Sequence, residues 1–437
     1  MQKKATWAAI GLALVAGAGW MLVGNAKPKM NTPALRPAAT DRGDVQVSNA
    51  PLQSVDVTSK LELLGRAFNK SPYANNVWDM QRYNGKIYLG HGNSSNTGPA
   101  QNAGPIPVVY YDAANAQFET QAVMNSNPSI IPSTKMYVDE EQIDLYKVLN
   151  GKLYIPGHDS VGESWDFGNY YRLDDGVWTK YRNLPKGVHV YDLAYYQGKL
   201  FAALGTETKP TVLISHNDGQ SWQQFATINS FGFRAYTLFE INGKLYASGM
   251  MYPANQIWSD KTNILEINER LEKRDVAIYG SKMLPGLTYQ QGTVPYNKIG
   301  KNIKYNNKLV YIAGGVFNDS QLLPKSLNVM TDINQARRVI LADANALPTD
   351  LLVRDDKVYV LTYTRKQANV YVSRVYQTND LITWNEILRF TQDTYAKSFE
   401  ELDGDFYFGL GTDPDVLSPS SGKLLRVNRV DIPVNSN

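Results

Sequence analysis

Cysteine is absent from all 437 residues, which excludes disulfides, thiolate metal sites and thiol nucleophiles and is compatible with an oxidising compartment. Histidine is nearly as scarce, at four, so imidazole chemistry has few places to reside. A net charge of +3 offers no basic excess of the kind that binds nucleic acid. Long apolar runs are also missing, with one exception. Ala5–Gly24 carries no charge, follows Lys3 and Lys4, and ends at Gly24-Asn25-Ala26, where a signal peptidase finds small residues. Its length is close to the ~20 residues that span a bilayer, so a cleaved signal peptide and an uncleaved anchor are both open for residues 1–24. Export to a periplasmic or extracellular location is expected, with attachment to the inner membrane if the segment is kept. Residues 25–52, with Pro28, Pro33, Pro37 and Pro51 among Ala, Asn and Thr, read as an extended linker, which leaves 53–437 as the folded domain.

What the chain has in abundance is tyrosine, 28 residues of it, which strands favour. His189–Phe225 reads as four short strands, with Gln197-Gly198 as the first hairpin turn and Asn217–Gln220 as the second. The turn-plus-strand pattern occurs seven times, marked by Gly85, Gly151, Gly198, Gly243, Asn307, Asp356 and Gly404 at steps of 66, 47, 45, 64, 49 and 48 residues. A period near 47 with several strands per copy predicts an all-β, seven-bladed β-propeller of four-stranded antiparallel blades; the two long steps are copies carrying insertions. The last copy ends without an outer strand. Leu61–Phe68 fits that slot, so the ring is expected to be closed by an N-terminal strand.

Ser215–Trp222, SHNDGQSW, resembles the Asp-box hairpin turn of BNR-repeat, sialidase-like propellers, with Asn217 where Asp is common; Gln377–Trp384 and Leu173–Trp178 are weaker versions. The resemblance implies a propeller with an Asx side chain and a glycine shaping the turn and Trp plugging the blade. It does not extend to activity, because no sialidase arginine triad can be assigned. Kelch and WD repeats fit less well.

If the tight turns share one rim, the insertions lie on the other: Gly92–Pro107, Met124–Ile143, Asp159–Gly168, Met250–Thr262 and Gly280–Ile299. Long loops on one rim of a rigid scaffold are where binding and catalysis concentrate. His91, His158 and His189 are expected there, and His216 on the opposite rim. Catalytic candidates are His158 and His189 with Asp159 and Asp192; binding candidates are His91, Trp78, Tyr191, Arg234, Tyr236, Glu163 and Asp166. These residue types suit acid–base work or coordination of a divalent cation, and no metal ligand can be assigned from spacing. A polar ring on the innermost strands, comprising Asp79, Asp192, Thr237, Lys301, Asp350 and Ser398, is expected to line the central channel. Two function classes remain: an exported, monomeric propeller that binds a glycan, a peptide or an envelope protein, and a carbohydrate-active hydrolase or lyase. An enzyme requires His158 or His189 within hydrogen-bond reach of a carboxylate in a pocket; a binding scaffold requires only a broad rim.

Overall fold

The computed structural model describes residues 45–46, 54–71, 73–94, 103–125, 134–187, 189–230, 232–249, 261–287, 296–317, 321–413 and 418–432. Its strands form seven sheets, each running outward from an innermost strand: Asp79–Tyr83, Lys147–Leu149, His189–Tyr196, Thr237–Ile241, Tyr296–Tyr305, Leu347–Arg354 and Tyr395–Leu402 for blades 1 to 7. The repeat is set by its turns. In all seven copies the two residues between the first and second strands have left-handed backbones, from Asn84 and Gly85 (φ 49° and 72°) to Asp403 and Gly404 (56° and 92°). Only type I′ geometry matches the twist of the two strands, and Asn, Asp and Gly are the residues that tolerate it.

The outer turns repeat a second device. Asn217 Oδ1 accepts the Ser221 amide at 2.9 Å, and Gly219 (φ 82°) donates to Ser215 Oγ at 2.8 Å. In blade 6, Asp380 Oδ1 accepts the amides of Ile382 and Thr383, both at 2.7 Å. Leu381 occupies the glycine place there with φ 63°, and its side chain is buried beside Trp384, so apolar burial offsets the strained backbone.

Glu62–Arg66 pairs with Lys423–Val427 as the outer strand of blade 7, which is the expected closure. The N-terminal chain goes further than the linker reading foresaw. Val45–Gln46 adds a parallel strand to blade 5, and Val55–Asp56 another to blade 6, so the chain covers three successive outer edges. Residues 1–24 and the rest of the linker lie outside the described residues; among those described, no helix is long and apolar enough to cross a membrane. The Met124–Ile143 insertion is also corrected in part. Val123–Asn125 and Thr134–Lys135 extend blade 2 outward as a six-stranded sheet, the first of them parallel to Val177–Pro185.

The core lies between blades, because each sheet is apolar on both faces. Tyr88, Tyr146 and Trp178 meet between blades 1 and 2, and Phe390, Phe399 and Phe408 between blades 6 and 7. Much of the tyrosine content is therefore packing, with nine tyrosines fully buried from Tyr88 to Tyr407.

Around the channel, the polar ring is a set of clasps from one blade to the next. Asp79 accepts the Tyr146 amide at 2.7 Å, Asp192 the Leu238 amide at 2.8 Å and Asp350 the Phe399 amide at 2.9 Å. Thr237 donates to Ile299 O at 3.0 Å, and Ser398 to Val77 O at 2.7 Å. Lys301 spans the channel from blade 5, with Nζ 2.7 Å from both Asp79 and Asp350.

Candidate functional site

The innermost strands of blades 3, 6 and 7 each carry a β-bulge at the decorated rim. Between Val190 and Asp192, Pro348 and Asp350, and Ala396 and Ser398, one residue has no partner in the neighbouring strand: Tyr191, Thr349 and Lys397. A bulge bends the strand and re-aims the extra side chain. All three line a cavity of about 560 Å³ along the channel, together with Trp78, Asp144, His158, Tyr236, Lys298 and Tyr395.

His158 lines one side of the cavity, and His189 packs beside it. His158 follows the second strand of blade 2, and its Nδ1 lies 2.7 Å from Asp144 Oδ2. Burial disfavours the imidazolium, but the Asp144 carboxylate outweighs it and raises the pKa above the ordinary histidine value. Asp144 is held lower than a free carboxylate: burial opposes its ionisation, and His158, Lys298 and Lys301 more than compensate. Both shifts favour the ionic form of the pair.

His189 is in the opposite state. Its Nδ1 lies 3.0 Å from His158 O, and a carbonyl can only accept, so Nδ1 carries the hydrogen and Nε2 keeps a lone pair. Burial, with Arg234 and His158 nearby, pushes its pKa down to about 3. Tyr191 stands between the two rings, edge-on to His158 at 5.1 Å and stacked on His189 at 5.6 Å. The close packing requires Gly205 opposite, since a Cβ there would meet Tyr191 Cε2 at 2.8 Å and His189 Cβ at 3.1 Å.

Tyr236 lies 4.6 Å from Tyr191, and the Arg234 guanidinium sits 5.9 Å from the centre of the Tyr191 ring, with Nη1 3.5 Å from Tyr236 Oη. Lys298 Nζ sits 4.4 Å over Tyr236, and burial lowers its pKa to about 8. Asp159 is 3.6 Å from His189, and burial raises its pKa despite His158 and Arg234. Trp165, half exposed, flanks His189 at 6.4 Å. His158, Tyr191, Tyr236 and Lys298 thus line one wall, with His189, Asp159 and Arg234 packed against them.

Of the residues singled out from sequence, His158, Tyr191, Tyr236 and Trp78 line the cavity, and His189, Asp159 and Arg234 pack against the first three of them. Other candidates belong elsewhere. His91 is fully buried, stacked on Phe68 at 3.4 Å with Nε2 3.1 Å from Pro107 O, and does not reach the rim. Glu163 is engaged by Lys180 at 2.5 Å and Asn169 at 2.7 Å in the packing of the blade 2 loops, while Asp166 is exposed beside them. Asp192 does line the cavity, but its carboxylate is engaged as a clasp between blades. It is 3% exposed, pairs with Lys147 at 2.5 Å and accepts the Leu193 and Leu238 amides. Asp192→Ala should accordingly cost about 3 kcal/mol of stability, the scale for stripping one partner from a buried ion pair. Denaturant unfolding of the variant measures this; an unchanged midpoint would return Asp192 to the list of functional groups.

Lys298 and Lys397 were not singled out from sequence. The signal available was register, since Lys397 and Tyr191 each immediately precede a member of the polar ring. Among the described residues, no group of three or more His, Asp or Glu side chains is arranged to hold a metal ion.

No family model matches this chain, and no curated protein matches it. Among solved structures it is similar to the β-propeller domain of the Trilobed protease from Pyrococcus furiosus, with 10% identity, TM-score 0.43, and coverage of 80% of this chain and 94% of that one. A protein from Lactobacillus plantarum gives 12% identity, TM-score 0.41, and coverage of 78% and 94%. The polysaccharide lyase Uly1 gives 10% identity, TM-score 0.42, and coverage of 89% and 96%. These likenesses go no further than propeller architecture.

Proposed function

We propose that the protein is an exported enzyme that cleaves an acidic glycan by β-elimination at the channel mouth. The observation that supports this reading is the His158–Asp144 pair, 2.7 Å apart beside a neutral His189 and a cation-flanked cavity. Environments that push two like groups to opposite protonation states are the means by which one site supplies both an acid and a base. Arg234 and Lys298 would neutralise a uronate carboxylate, which acidifies the neighbouring C–H. His189 Nε2 would take that proton; the C–H electron pair forms the C=C bond, the C–O bond to the leaving sugar breaks, and protonated His158 supplies the proton to the departing oxygen. Tyr191 and Tyr236 offer faces for the sugar ring.

Export rests on Lys3, Lys4 and the apolar run that follows, and a glycan of the cell envelope or its surroundings is the partner that location supplies. The Ser215–Trp222 turn keeps Asp-box hydrogen bonding, and we read it as structural: it stands on the rim away from the cavity, and no sialidase activity is proposed.

The test is incubation of the purified protein with polygalacturonate, alginate, heparin, chondroitin sulfate and neutral dextran, following ultraviolet absorbance of unsaturated uronates. Product is expected from at least one acidic polymer. His158→Ala should lower kcat by about 10²- to 10⁴-fold, the usual worth of a positioned proton donor, with His216→Ala unchanged. Full activity in His158→Ala, or no product from any acidic polymer, would overturn the proposal.

A further inference from the structure

We infer that the channel wall opposite the histidines is a second anion subsite, built from Lys397, Trp78 and Tyr395, which holds a neighbouring charged unit of the same glycan chain. This deepens the acidic-glycan reading and rests on it. The first observation is backbone register. Lys397 is the extra residue of a bulge on the innermost strand of blade 7, the place Tyr191 takes in blade 3, and both side chains line one cavity.

The second observation is the state of the lysine. Among the described residues, Lys397 Nζ makes no hydrogen bond or ion pair; it lies 4.1 Å from the centre of the Trp78 ring and 5.7 Å from that of Tyr395. Asp413, the carboxylate that most favours its charge, is engaged by the Tyr395 hydroxyl at 2.7 Å, while Lys301 opposes it from deeper in the channel. A half-buried ammonium on two aromatic faces has lost water without gaining a counter-ion, and a bound carboxylate or sulfate would supply one.

The aromatic walls are fixed. Trp78 Nε1 donates to Gly92 O at 2.8 Å, and Tyr395 stacks on Tyr363 at 3.9 Å. Rigid aromatic faces beside a cation suit a charged sugar ring, whose C–H face is apolar and whose substituent is anionic. Lys298, over Tyr236 on the other wall, repeats the arrangement. Two such cations across one cavity select a ligand that carries anions on successive units.

Calorimetric titration with the same acidic polymers and with dextran tests the inference, using wild type, Lys397→Gln, Lys397→Arg and His158→Ala. Lys397→Gln should weaken binding of the preferred acidic polymer about tenfold or more, as loss of a charge-assisted contact does. Lys397→Arg should restore most of the affinity, and the midpoint of thermal unfolding should hardly change in either variant. Equal affinity in wild type and Lys397→Gln would overturn the subsite even where turnover is present. Conversely, Lys397-dependent binding in a wild type that shows no turnover would sustain the subsite and sink the elimination mechanism. Binding of no acidic polymer above dextran would overturn both.

Discussion

Deletion of residues 55–69 should convert a soluble ring into one that aggregates or is rapidly proteolysed, while the seven inner hairpins keep their sequence intact. Two edges are exposed at once: Val55–Asp56 leaves Leu388–Arg389, and Glu62–Arg66 leaves Lys423–Arg426. Open edges of this kind are templates for pairing with another chain. The segment also removes core. Val57 is 0% exposed and Phe68 is 3% exposed, and each fully buried apolar side chain is worth about 2 kcal/mol. Phe68 has a further role as the lid over His91, whose ring stacks on it at 3.4 Å. Exposure of His91 would let it take up a proton, whereas burial now pushes its pKa down to about 3. The folded protein with a depressed His91 pKa loses stability as pH falls below the ordinary histidine value, and the deletion should abolish that dependence along with closure. Size-exclusion chromatography and thermal unfolding check the result. A deletion product that stays monomeric with an unchanged midpoint would show that the ring closes without this segment.

The parts of this fold that were legible in sequence are those decided by adjacent residues. Asn-Gly, Gln-Gly, Asp-Gly, Asn-Asn and Asp-Asp pairs fix type I′ turns locally, so seven blades can be counted without coordinates. The missing outer strand of blade 7 was legible for a related reason, since a pattern that repeats seven times shows where it is interrupted. The site was legible only in part because it depends on contacts between distant residues. His91 and His158 hold nearly equivalent places in consecutive copies, yet one is sealed under Phe68 and the other faces a carboxylate. The difference comes from a segment more than 20 residues upstream of the first and from the place of Asp144 before blade 2. Lys397 was invisible for another reason. Alternation assigns it to one face of a strand, and the bulge that turns it into the channel shows only in the pairing with Tyr395–Leu402's neighbour, Asp405–Gly411. For Asp192, polarity on a channel strand suggests chemistry, whereas the fold engages its carboxylate with Lys147, the Leu193 amide of its own strand and the Leu238 amide of the next blade.

The pH profile of turnover should have no acid limb near the ordinary histidine value and a falling limb on the alkaline side. His189 must be neutral to accept a proton, and burial pushes its pKa down to about 3, far below the ordinary histidine value. His158 must be protonated. Its raised pKa places the loss of that proton above the ordinary value, so kcat falls as pH rises through it. Lys298 and Lys397, both lowered to about 8 by burial, lose charge in the same direction and weaken binding of an anionic glycan, which deepens the alkaline fall in kcat/KM relative to kcat. Asp144→Asn tests the His158 assignment through kcat. Without the carboxylate, burial and Lys298 act on His158 against Asp159 alone and lower its pKa, so the alkaline limb of kcat should move to acid pH, with a loss of about 10²-fold or more at neutrality. The lysine contribution to kcat/KM should shift to acid pH as well, because the Asp144 carboxylate also favours the charge on Lys298 and Lys397. Steady-state rates across pH, taken only where circular dichroism shows the variant folded, decide the matter. A rising limb near the ordinary histidine value in wild type would mean that His189 is not held neutral; an alkaline limb that Asp144→Asn leaves in place would mean that His158 is not the proton donor.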